Sequence, residues 1–70
     1  MDAIEFVVRY EDYLSEIEKM VKPELLPVIE QLKETDPHDL LRPDTYFMSE
    51  SHARGYVWTM FIIEVRKQRI

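Results

Sequence analysis

His38 stands between Asp36 and Asp39, and side chains of these types can hold a divalent cation. A zinc site needs three or four ligands converging on one point. The only other histidine, His52, falls in a different segment, and the chain has no cysteine. Two acids and a histidine around Pro37 also describe an ordinary helix start, with Asp36 as the cap and Pro37 in the first turn. That reading is preferred, and no metal is expected.

Ser49, Glu50, Ser51 and His52 place hydroxyls, an acid and an imidazole in one run. Nucleophilic catalysis needs such groups converging across a fold beside an oxyanion site. Neighbours along one turn do not meet that requirement, and Ser49 or Ser51 reads better as a helix cap. Glu5, Asp12 and Glu16 could pass for catalytic carboxylates, yet they fall on the solvent side of an amphipathic helix. The single glycine, Gly55, rules out a glycine-rich phosphate loop. No catalytic residue and no cofactor-binding residue is assigned, so the expectation is a protein that is not an enzyme.

The elements that position these groups read as helices. Ala3, Phe6, Val7, Tyr10, Tyr13, Leu14, Ile17, Met20 and Val21 share one face at about 100° per residue. Ile4 and Val8 are the exceptions on the polar side. The spacing predicts a helix from about Ala3 to Val21, capped by Asp2, with Glu5–Arg9 and Glu18–Lys22 as i,i+4 pairs. Pro23 ends it or opens the next helix. Pro27 fits only a first turn, where backbone donors have no intrahelical partner. Leu25, Val28, Ile29 and Leu32 share a face of this shorter second helix, which should end near Glu34 or Thr35. A capped turn follows from Asp36, then a connector through Asp44–Met48. A last helix is read from Glu50 to about Gln68, weakened slightly by Gly55, with Asp44, Thr45, Ser49 or Ser51 as its cap. Its β-branched and aromatic content keeps a strand as the alternative there.

Tyr56–Ile63 holds one polar residue, Thr59. A helix apolar on all sides must be covered by protein on most of them. Val57, Met60 and Phe61 are expected to face the first helix, while Trp58 and Ile62 point elsewhere. Tyrosine and tryptophan are frequent interface anchors. The protein-binding residues are therefore read as Trp58, Ile62, Tyr56 and Phe47. The competing reading of Trp58 is that it packs under the connector Pro37–Met48. Tyr10, Tyr13 and Phe61 are assigned to the core.

Seventy residues make one domain, residues 1–70, near the lower limit for a single hydrophobic core. With no cysteine, disulfides cannot staple it, and self-association is the remaining common source of buried area. Residues 1–50 carry thirteen acids and five bases, a net of −8; residues 51–70 carry one acid and four bases, a net of +3, and together these give −5. A net-acidic chain gains nothing from phosphate counterion release, so nucleic acid is not expected as a partner. The start Met1–Glu5 lacks the pattern of a secretory signal, and no apolar run approaches the roughly 18–20 residues that span a bilayer. A soluble, cytoplasmic protein is expected, with no membrane partner.

The fold expected is a small all-α three-helix domain: two long helices plus a shorter helix and a capped turn. Homodimer formation through the last helix is expected. The leading function is a non-enzymatic protein-binding module, a small regulator, inhibitor or adaptor with another protein as partner. The alternative is an acidic nucleic-acid mimic that occupies a basic groove of a DNA- or RNA-binding protein. The two differ in salt response, since charge-driven contacts are screened and apolar ones are not.

Overall fold

A computed structural model of the chain describes residues 1–42 and 44–68. It is all-helical, with α1 at Ala3–Met20, α2 at Leu26–Glu34 and α3 at Glu50–Gln68. Two 3-10 turns, Pro23–Leu25 and Pro37–Leu40, flank α2. There is no strand among the described residues, and the only bridge pairs Asp2 with Tyr46. The strand alternative for the last element is therefore set aside.

The local signals act where the sequence places them. The Asp2 carboxylate accepts from the Glu5 amide at 2.9 Å, and Asp36 accepts from the His38 amide at 2.9 Å. Each satisfies a first-turn donor that has no intrahelical partner. Ser49 is the serine that caps α3, its Oγ accepting from the His52 amide at 3.1 Å. Both prolines near α2 are accommodated in succession: Pro23 opens the 3-10 turn, and Pro27 falls in the first turn of α2.

The core combines Phe6, Tyr10, Leu14 and Ile17 of α1 with Val28, Ile29 and Leu32 of α2 and Ala53, Val57 and Phe61 of α3. Leu25, expected on the α2 face, is only half-buried, because it lies in the 3-10 turn before that helix. Arg9 meets Glu50 and Arg54 meets Glu16 at successive levels, so α1 and α3 run in the same sense. Gln31 meets Gln68 while Leu40 meets Tyr56, so the chain from α2 onward runs antiparallel to α3. Among the described residues no helix is long and apolar enough to cross a membrane.

Two expectations about α1 need correction. Met20 shares the apolar face of α1 by spacing but is 74% exposed, because the last turn of α1 runs past the apolar layer. Glu18 reaches across to Lys33 of α2 at 2.8 Å instead of bridging to Lys22, so a tertiary partner wins over the i,i+4 neighbour. Glu5–Arg9 forms as expected, at 3.3 Å.

Candidate functional site

The buried line of α3 is Ala53, Val57 and Phe61, spaced at i, i+4 and i+8. From that line the helix can be followed in both directions at about 100° per residue. One flank carries Tyr56, Met60 and Ile63, turned toward α2 and the Pro37–Leu40 turn. Met60 and Ile63 line a shallow groove there with Leu32 and Leu40. The other flank carries Arg54, Trp58 and Val65, turned toward α1. Val65 lines a second groove with Met20, Val21 and Leu25. Between the flanks, opposite the core, run Ser51, Gly55, Thr59, Ile62 and Arg66, all exposed.

This geometry separates the four residues read as a binding set. Trp58 is half-buried, its indole edge-on to Phe61 with ring centroids 6.1 Å apart. Ile62, one turn further along, is 45% exposed. Those two share a neighbourhood with Val65. Tyr56 stands about 160° around the helix from Trp58 at this spacing. Its hydroxyl donates to the Leu40 carbonyl at 3.2 Å, so its polar end is already engaged. The reading of Trp58 as packed under the connector is also set aside, since the connector turn lies on the Tyr56 flank.

Phe47 is the clear departure. It is 3% exposed and stacks on Phe6 with centroids 4.7 Å apart. Tyr56 meets both rings edge-on, at 5.9 and 5.5 Å. A side chain so placed presents no surface to another molecule; it closes the core where α1 begins. The backbone explains why. The Met1 nitrogen donates to the Phe47 carbonyl at 2.8 Å, and the Phe47 amide donates to the Met1 carbonyl at 2.8 Å. This pairing turns the Phe47 ring inward and leaves its neighbours Tyr46 and Met48 outside. Met60, expected against the first helix, faces α2 instead.

Ile63, also 45% exposed, and Val65, half-buried beside Met20, lie outside the four residues expected to bind. The signal for both was available in the same helical spacing that singled out Trp58 and Ile62. The apolar content of α3 therefore continues around the solvent side on both flanks, broken by Gly55, Thr59 and Arg66.

The acidic residues are partly compensated. Glu50 is bridged by Arg9 at 3.0 Å and by Arg54 at 3.4 Å, and Glu16 by Arg54 at 3.1 Å. These contacts hold both guanidinium groups above their ordinary pKa, chiefly through Glu50 for Arg9 and Glu16 for Arg54. Arg54 also lies over the Tyr13 ring, 5.5 Å from its centroid. His38 belongs to the Pro37–Leu40 turn, whereas His52 lies in α3, where its Nδ1 accepts from the Met48 amide at 3.2 Å. Among the described residues no three metal-ligating side chains gather in one place.

The chain matches no protein-family model, no curated protein and no solved structure with which it was compared.

Proposed function

We propose that the chain is a non-enzymatic protein-binding module that works through an apolar surface on α3, with Trp58 and Ile62 at the centre of contact. The observation that carries this reading is the placement of Ile62 and Ile63, each 45% exposed, on a helix whose opposite face is already fully used by the core. Isolated exposed apolar side chains are ordinary on any protein. Here Ile62 adjoins the half-buried Trp58 and Val65 on one flank and Ile63 adjoins Met60 on the other, so exposed apolar area gathers on one helix, as it does at interaction sites. The cytoplasm is the compartment proposed, in keeping with a chain that uses no cysteine.

The acidic-mimic reading has less support. A mimic presents carboxylates to a basic groove, and Glu16, Glu18 and Glu50 are committed to Arg54, Lys33 and Arg9 within the molecule.

The test is affinity capture from the source cell with the wild-type chain and with Trp58→Glu, each over a series of salt concentrations. The expected result is capture that survives high salt and is lost in the variant, with both proteins equally helical. Capture of the same proteins by both overturns the assignment of the surface. Capture that weakens steeply with salt favours the mimic.

A further inference from the structure

Gly55 lies in the interior of α3, where glycine is a poor helix former beside alanine. Nothing among the described residues accounts for it. Its φ is not positive, so the backbone does not require glycine, and a Cβ built there would meet no atom of the described residues within 4 Å. A glycine that neither its own backbone nor its own packing needs is explained when a second body approaches that spot closely. Gly55 sits in the exposed line with Ile62, two turns further on, and Trp58 lies between them on the adjoining flank.

We infer that the body covering this surface is a second copy of the chain, its α3 packed antiparallel on the first, with Ile62 of each copy seated over Gly55 of the other. This rests on the reading of α3 as a contact surface and names the occupant. A two-fold axis crossing α3 between Trp58 and Thr59 makes both contacts at once. Reciprocal contacts of this kind are what a two-fold dimer makes. The same axis brings Trp58 of each copy beside Thr59 of the other and covers the exposed side of the indole.

Charge selects the antiparallel sense. α3 opens on Glu50, which shares Arg54 with Glu16 of α1, and its last turn carries Arg66 and Lys67. In the antiparallel arrangement the Arg66 turn of one copy falls beside the Ser51 turn of the other, apart from its own counterpart. In a parallel arrangement Arg66 and Lys67 would lie against their own counterparts, and like charges brought together oppose association. The division of the whole chain, −8 over residues 1–50 and +3 over residues 51–70, acts in the same direction.

Sedimentation equilibrium of the full chain, with Gly55→Leu and Trp58→Glu beside it, tests the pairing. The wild type should give the mass of two chains. Gly55→Leu replaces a poor helix former with a good one in open space, so the monomer should fold at least as well. Its dimer should nevertheless weaken by about tenfold or more, since tenfold corresponds to roughly 1.4 kcal/mol and the leucine occupies the seat of Ile62. Register is tested with single-cysteine variants in this cysteine-free chain. Gly55→Cys mixed with Ile62→Cys should form an intermolecular disulfide faster than either variant does alone. Faster self-linkage of each variant overturns the antiparallel register. A wild type that stays monomeric overturns self-pairing yet leaves the contact surface standing, to be decided by the Trp58→Glu capture. A dimer indifferent to both Gly55→Leu and Trp58→Glu overturns self-pairing through α3 and counts against the surface itself.

Discussion

The Tyr10 hydroxyl of α1 donates a 2.9 Å hydrogen bond to the Leu32 carbonyl, in the last turn of α2. The last carbonyls of a helix lack intrahelical partners, and burying one without a donor is costly. Leu32 also receives the Thr35 amide at 3.2 Å, so this carbonyl has two donors. The contact ties α1 to the end of α2 inside the core.

Tyr10→Phe should therefore destabilise the fold by about 0.5–1.5 kcal/mol, the ordinary worth of one hydrogen bond, and leave helicity intact. The variant also reports on alkaline pH. Burial raises the Tyr10 phenol above its ordinary value of 10.0, with Tyr56 adding to the shift. Burial raises Tyr13 as well, helped by Glu50. A neutral phenol favoured in the folded state contributes stability in full below pH 10, and that contribution is lost as pH rises through the folded value. Denaturant titrations from pH 9 upward should show stability falling, and less steeply in Tyr10→Phe. Equal slopes would remove Tyr10 as a source.

Leu14 and Ile17 are fully buried on α1, and Glu16 between them is not. Truncating either apolar residue to alanine should cost about 2–5 kcal/mol. Glu16→Ala should cost about 0.5 kcal/mol or less, as at most surface positions. Urea denaturation of the three variants checks the difference, and matching midpoints for Leu14→Ala and Glu16→Ala would mean that the face is misassigned.

Phe47→Ala should cost about 3–5 kcal/mol, the range for a buried phenylalanine. So small a domain has few kcal/mol in reserve, and the variant should be largely unfolded by circular dichroism. Trp58→Glu should remain folded. A folded Phe47→Ala beside an unfolded Trp58→Glu would reverse the roles of the two aromatic residues.

Gly55→Ala should raise the stability of the monomer by about 0.4–1 kcal/mol, because alanine narrows the unfolded ensemble and its Cβ meets nothing among the described residues. Thermal denaturation at high dilution is the measurement. A lower melting temperature than the wild type would show that the position is constrained within the monomer.

Helical spacing carried most of the fold. The face from Phe6 to Ile17, the caps at Asp2 and Asp36 and the bounds of α3 were all legible, because each depends on residues within a few positions. The exposure of Ile4 and Val8 was legible for the same reason. Phe47 was not, since it belongs to a connector without periodicity and is turned inward by a backbone pairing with Met1, 46 positions away. The partner of Glu18 depends on how α2 crosses α1, and Met20 on where the core stops. Trp58 and Tyr56 were grouped by residue type, although the turn of the helix places them on opposite flanks.

The two bonds between Met1 and Phe47 also make the connector a reporter on a distant element. A loop amide ordinarily exchanges with solvent quickly, but the Phe47 amide is held by the residue that leads into α1. Fraying at the start of α1 and release of the connector thus become one opening event. The Phe47 amide should exchange at the rate at which that event occurs. Its protection measures how often the first turn of α1 lets go, although the two amino acids belong to opposite halves of the chain.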